Sequence, residues 1–378
     1  MSITGLSEGG EGEAGRDIDQ GCGAVSGGRG STVHDVATAL ALEVSGSPHP
    51  ACPKHMVYGP CGGVRADGAC ELGDRPCPFV GAPLVRWTGP AAPAGTFPFA
   101  PADGSFLIIT DLRVRPFDAA SIAEVTAHLA PDSDALLVGE HHSRPDFPPS
   151  FVAATIIAAG GRPLITLTCR DRNRVVLESE LEALTTLDVA GVHCVTGDAR
   201  AVSVRADASQ VFDVDSLRLS ALARRAGLAV SVAATPIAPP VDLRPRRLVE
   251  KEAAGAQLCI VNHAGGPEGV ACFVAAAQAA GVTMPFVACV AVFTDAASFA
   301  VLEAFPGLLL DPDAGRRVLG SPDPRAAGID AAVEQALAML AIDGVAGVNL
   351  SGSATSGPET ESARIMAQVA AGVRAAAR

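Results

Sequence analysis

After Gly104 the chain alternates short apolar runs with longer segments whose apolar residues recur at helical spacing. The runs fall at Phe106–Leu112, Ala135–Val138, Pro163–Thr168, Gly191–Val195, Ala229–Ala233, Leu258–Asn262, Phe286–Val292 and Gly347–Leu350. They lack the in–out alternation of a half-exposed strand, so each is expected to be buried on both faces, as in a parallel sheet. Helix-type segments separate them: Ala120–Leu129, Ser150–Ala159, Glu178–Leu187, Val214–Ala226, Arg246–Ala254, Val270–Ala280, Asp295–Phe305 and Asp330–Leu340, with a last one from about Pro358 to Ala377. Eight such units predict a (β/α)8 TIM barrel over residues 104–378, its working end at the C-terminal ends of the strands. An open doubly wound sheet is the competing arrangement. No Gly-x-Gly-x-x-Gly follows the first run, which speaks against it.

Upstream the pattern is different. Residues 1–30 are Gly-rich and acidic, a composition that cannot bury enough surface to offset ordering entropy, and are expected to be disordered. Ser31–Leu42 can form one helix at the start of a Cys-, Gly- and Pro-rich module over residues 31–87, and residues 88–103 read as a Pro/Ala/Gly linker.

Composition narrows the function classes. Hydrophobic residues make up 48% and charged residues 18%, enough for a large core, while aromatics are 4%, which suits layered strands and helices. The most apolar stretches, Phe151–Cys169 and Val287–Phe305, are cut by Arg162 and Asp295, so no membrane span is expected. A net charge of −13 argues against nucleic acid, whose binding rests on Lys/Arg contacts to phosphate. Ten cysteines behind an N-terminus without a basic-then-apolar signal suggest a cytoplasmic chain with thiols or metal ligands rather than disulfides.

Four of those cysteines, Cys52, Cys61, Cys70 and Cys77, sit in CPKHMVYGPCGGVRADGACELGDRPCPF. Four soft thiolates can close a tetrahedral zinc site or hold a 4Fe-4S cluster, and such a centre replaces a core too small to fold alone. Four reduced thiols in a loop are the alternative. The segment resembles the module known as the methylenetetrahydrofolate reductase C-terminal domain, whose members read CPK-x-M-x-x-GPCGGVR-x-DG-x-CE before a last Cys. That family carries a further cysteine group upstream, where this chain has Cys22 alone.

The barrel in turn resembles the methylenetetrahydrofolate reductase family. LITLTCRDRNRVVLESELEALTTLDVAGVHCVTGDAR, from Leu164 to Arg200, carries the most specific match, supported by QVFDVDSLRL, LVEKEAAGAQL and FPGLLL. Thr168 and Arg170 leave the third strand, where Arg suits carboxylate capture and Asp171 and Arg172 can pair with each other or with a substrate tail. Thr196, Gly197 and Asp198 leave the fourth; Gly197 permits close approach of a flat ring, and Asp198 can accept from a pterin edge, unless the pair is a plain turn. Asn262 stands where the family has an amide on the sixth strand, and Lys251 matches a lysine near the flavin phosphate. The other contacts expected of that helix are replaced by Arg244, Arg247 and Glu250.

The resemblance implies reduction of 5,10-methylenetetrahydrofolate to 5-methyltetrahydrofolate, with a protonated acid opening the ring and hydride arriving from NAD(P)H or FAD. The family's acid is a Glu on the first strand. Here Asp111 takes its position, about 1.5 Å shorter in reach. Arg113, Val114 and Arg115 follow where the family has paired prolines. Glu140, in LLVGEHHSRPD, is a second candidate acid; with His141 and His142 it also reads as a metal group, although adjacent histidines point to different sides, or as a solvated loop. Two other functions compete: a drifted folate-binding or iron–sulfur relay subunit that docks a reductase or other electron-transfer partner, and a folate-dependent methyltransferase component.

Overall fold

The computed structural model describes residues 46–377 except 94, 99–104, 141–143, 199–206 and 306. These belong to one compact unit, Val44–Arg378, so the cysteine module and the barrel are parts of one body. Residues 1–43 make up a second unit. The expected disordered tail, the helix at Ser31–Leu42 and Cys22 lie outside the described residues.

All eight apolar runs form strands: β1 (Leu107–Asp111), β2 (Ala135–Val138), β3 (Pro163–Thr168), β4 (Gly191–Val195), β5 (Val230–Ala234), β6 (Leu258–Val261), β7 (Phe286–Phe293) and β8 (Val345–Ala354). Each pairs in parallel with the next, and β8 returns to β1 through Leu107 opposite Gly347, closing the barrel. Closure explains the missing alternation, because both faces are dry. One face fills the lumen with Leu107, Ile109, Leu164, Leu258, Val287 and Cys289. The other, with Ile108, Leu136, Ile165, Val192 and Val232, packs against the helices. Phe97, 3% exposed, joins the lumen set, so the linker plugs the barrel.

The helices are α1 (Ala119–Leu129), α2 (Pro149–Ala158), α3 (Arg174–Thr185), α4 (Ser216–Arg225), α5 (Arg244–Ala253), α6 (Pro267–Ala279), α7 (Ala296–Glu303), α8 (Pro312–Leu319), α9 (Pro324–Leu340) and α10 (Glu359–Ala376). Short polar side chains set many of their starts: Asp118, Asn173, Asp215, Asp295, Asp311 and Asp323 each accept from a backbone N–H in the first turn. The caps explain why α3 and α9 begin earlier than apolar periodicity alone suggests. Helix α8 was not expected. Its Gly315 interrupts the apolar pattern but lets Phe299 pack where a Cβ would come within 2.7 Å of the ring. Among the described residues no helix is long and apolar enough to cross a membrane.

The module builds on an Asp-Gly turn. Gly68 (φ +79°) donates to the Arg65 carbonyl, Asp67 accepts from the Ala69 amide, and Val64 bridges Cys70 antiparallel. Its small core is Cys52, Met56, Val64, Cys77 and Phe79.

Candidate functional site

A cavity of about 380 Å3 opens at the C-terminal ends of β2 to β6. Its walls carry Glu140, Thr168, Arg170, Thr196, Gly197, Asp198, Lys251 and Asn262, so the structure brings together most of the residues singled out in the sequence. The module adds Pro60, Cys61 and Gly62 to the same wall. The size is that of a pocket for one ring-sized ligand.

On the β2–β3 side, Glu140 is locked as an acceptor. The Thr168 amide and hydroxyl donate to its two oxygens at 2.8 and 2.9 Å, and Arg172 Nη1 at 2.6 Å. His141 and His142 lie outside the described residues. Arg170, 2% exposed, donates through Nε to Asp171 at 2.8 Å and through Nη1 to the Asp198 carbonyl at 3.4 Å. It holds the β3 and β4 loops together; Asp171 pairs with Arg170, and Arg172 pairs with Glu140.

Gly197 has φ +90°, and a Cβ there would stand 3.0 and 3.1 Å from the Cβ atoms of Arg170 and Thr168. Gly197→Ala is expected to cost about 1–2 kcal/mol from the left-handed backbone alone, read as a lowered urea midpoint. An unchanged midpoint would mean that the loop relaxes without loss.

The α5 wall is cationic. Arg244, Arg247 and Lys251 lie one turn apart on one face and all donate to backbone carbonyls. Burial lowers the Lys251 ammonium to about 7, with Arg247 pushing the same way; burial likewise lowers Arg244 to about 10. The three positions that depart from the family pattern hold the module and linker in place. Arg244 donates to the Pro60 carbonyl at 3.3 Å, Arg247 donates to that of Tyr58, and Glu250 accepts from the Trp87 amide at 2.5 Å. The helix where the resemblance places flavin contacts is thus engaged in part by this chain itself, while Arg244, Arg247 and Lys251 still line the cavity.

More ties reach β4 and α4. Lys54, 1% exposed, pairs with Glu71 and donates to the Gly197 carbonyl at 2.6 Å. His55 Nδ1 meets the Phe212 carbonyl at 2.9 Å, and the Val57 amide donates to Asp215 at 3.0 Å. Sequence reasoning missed Lys54, Glu71 and Asp215. The CPK triplet flagged a motif, but only folding shows that its lysine reaches a loop 143 residues away.

Cys52, Cys70 and Cys77 are buried, and burial raises the Cys77 thiol with the other two adding to it. Cys61 packs against the module's small core and also meets Glu71 and Lys54 at the cavity wall. Among the described residues no group of three or more His, Cys, Asp or Glu side chains is placed to hold a metal ion. The donor type suits zinc or a cluster, and the core against which Cys61 packs holds Cys52 and Cys77.

Asp111 ends β1 on its lumen face, at the same end of the barrel as Asp198, but it is not among the cavity's lining residues. Its carboxylate accepts from Asn349 Nδ2 at 3.0 Å and from the Gly352 amide at 3.2 Å. Burial raises it to about 6, against the pull of those two donors. Two histidines are held neutral by burial: His193, lowered to about 3 beside Ser231, and His263, lowered to about 4 beside Ser351.

Residues 39–83 match the family model described as methylene-tetrahydrofolate reductase C terminal. A barrel from Clostridium thermocellum, described as an uncharacterized protein that binds two copies of 5-methyl-5,6,7,8-tetrahydrofolic acid, aligns with a TM-score of 0.50 at 12% identity, over 70% of this chain and 94% of that one. A 2,3-dimethylmalate lyase (TM-score 0.38, 12% identity, 65% of this chain and 76% of that one) and an oxaloacetate acetylhydrolase (0.40, 14%, 66% and 76%) align less well. At these identities the likeness speaks for the barrel fold alone. No curated protein matches the chain.

Proposed function

We propose that this methylenetetrahydrofolate-reductase-like barrel, with its reductase C-terminal module at residues 39–83, binds a reduced folate at the barrel mouth and reduces its methylene bridge. The observation that carries the reading is the single cavity that Thr168, Arg170, Thr196, Gly197, Asp198 and Asn262 line together with the module's Pro60–Gly62 strap. The folate ligand of the Clostridium thermocellum barrel supports the ligand class.

In this reading the pterin lies in the cavity that Gly197 lines, with Asp198 and Asn262 at its polar edge. Asp111, raised to about 6, supplies the proton to the ring nitrogen whose bond to the methylene carbon opens. The methylene carbon then takes hydride from NAD(P)H, giving the methyl group and NAD(P)+. Direct transfer from the nicotinamide is the version proposed. Module contacts engage Arg244 and Arg247 of α5, on the helix where the resemblance places flavin contacts.

One observation favours a second reading, folate binding without reduction: Asp111 stands beside the cavity rather than in its lining. Titration with 5-methyltetrahydrofolate, followed by NAD(P)H oxidation in the presence of the methylene form, separates the two. Saturable binding with turnover is expected. Binding without turnover leaves the second reading, and no binding of either folate sinks both.

A further inference from the structure

We propose that Lys54, delivered by the cysteine module, is a positioning residue of the folate pocket that fixes the Gly197–Asp198 peptide; this rests on the folate-binding reading above. The Lys54 ammonium is buried, with 2% of its side chain exposed against 10% for its partner Glu71. Its other bond goes to the carbonyl of Gly197, which lines the cavity next to Asp198.

A glycine at positive φ has the widest backbone freedom, so the plane of the following peptide is free to turn unless something holds it. Here two cations hold successive carbonyls: Lys54 that of Gly197 at 2.6 Å and Arg170 that of Asp198 at 3.4 Å. Arg170 belongs to the barrel, but Lys54 does not. The carboxylate edge offered to a pterin is therefore set partly by the module, and Asp198 lies within the field of the same ammonium.

The module is itself seated tightly enough to act as a template. Val57 is tied to the buried Asp215, and the Tyr58 and Pro60 carbonyls to Arg247 and Arg244. Gly62 passes so close to β5 that a Cβ would lie 3.0 Å from Thr235 Oγ1. A lysine on such a seat delivers its charge to one place. Glu71 neutralises that charge, so the pair does not leave a bare cation in a buried position.

The test compares the full-length chain with Lys54→Met/Glu71→Gln, which removes both charges and leaves neither buried alone, and with Lys54→Arg, which keeps a cation beside Glu71. Two quantities are read: affinity for 5-methyltetrahydrofolate, and hydrogen exchange of the segment bearing Gly197 and Asp198 in the ligand-free protein. The double variant is expected to bind at least about tenfold more weakly and to exchange faster at that segment, while Lys54→Arg stays within about threefold in both. Wild-type exchange and affinity in the double variant overturn the proposal. So does an equal loss in Lys54→Arg, which would assign the effect to packing rather than to the cation. If the wild-type chain binds no folate, the functional reading has failed, and the exchange comparison alone decides the role of Lys54.

Discussion

Asp111→Asn is expected to lower the rate of folate reduction by about 10²–10⁴-fold, the usual range for loss of a general acid, while sparing folate affinity. Such a split, kcat lost with binding kept, marks a group whose contribution is made in the transition state. The fold should tolerate the change. Asn349, 2% exposed, has an Oδ1 without a hydrogen-bond partner, and the new amide offers it a donor. The other oxygen still accepts from the Gly352 amide or Asn349 Nδ2.

The pH dependence has a definite sign. Burial raises Asp111 to about 6, above the roughly 3.9 of an unfolded aspartate, so the folded chain holds this proton more tightly. Its contribution to stability is present at low pH and lost as pH climbs from about 4 to about 6; activity that needs the protonated acid falls as pH climbs through about 6. Asp111→Asn should flatten the first slope and leave the variant no less stable at neutral pH. Rate profiles and urea midpoints across this range are the measurements. A variant with the full rate would remove Asp111 from the mechanism, and the locked geometry of Glu140 offers no ready substitute.

Asp215→Ala is expected to cost about 3–5 kcal/mol, the largest stability loss at any single position considered. Asp215 is fully buried and does three things at once. It caps α4 by accepting from the Arg218 amide at 3.1 Å, faces the Arg218 guanidinium at 3.7 Å, and accepts from Val57 of the module at 3.0 Å. Removing it leaves a buried arginine without its counter-charge and a buried amide without an acceptor. It also withdraws a negative charge from the field of Arg247 and Lys251. Asp215→Asn keeps an acceptor for the cap and should recover about 1 kcal/mol of the loss. Urea unfolding reads both, with an unchanged slope showing that only stability moved. A loss for Asp215→Ala no larger than that of Asp215→Asn would mean that the cap carries no weight, and an Asp215→Asn variant as stable as the wild type would say the same of the counter-charge.

The barrel was legible in the sequence because a parallel strand buried on both faces has no choice but to be apolar at successive positions, and all eight runs became strands. Residues at strand ends, among them Thr168, Arg170, Gly197, Asp198 and Asn262, were legible for the same reason: chain order in a closed barrel places them at one mouth. The short helix α8 and the early starts of α3 and α9 escaped, since they rest on caps and a glycine rather than on apolar period.

Tertiary structure alone decided how charge is distributed around the mouth. Arg244, Arg247 and Glu250 read as departures from a ligand pattern, yet their partners lie 163 to 189 residues away in the module and linker. Cys61 read as one of four thiols, and only folding shows that it also meets Lys54 and Glu71. Periodicity fixes which face of an element turns inward, because that follows from local backbone geometry. Which buried cation meets which carbonyl depends on how the ring closes and where the module comes to rest, and no local pattern encodes that distance.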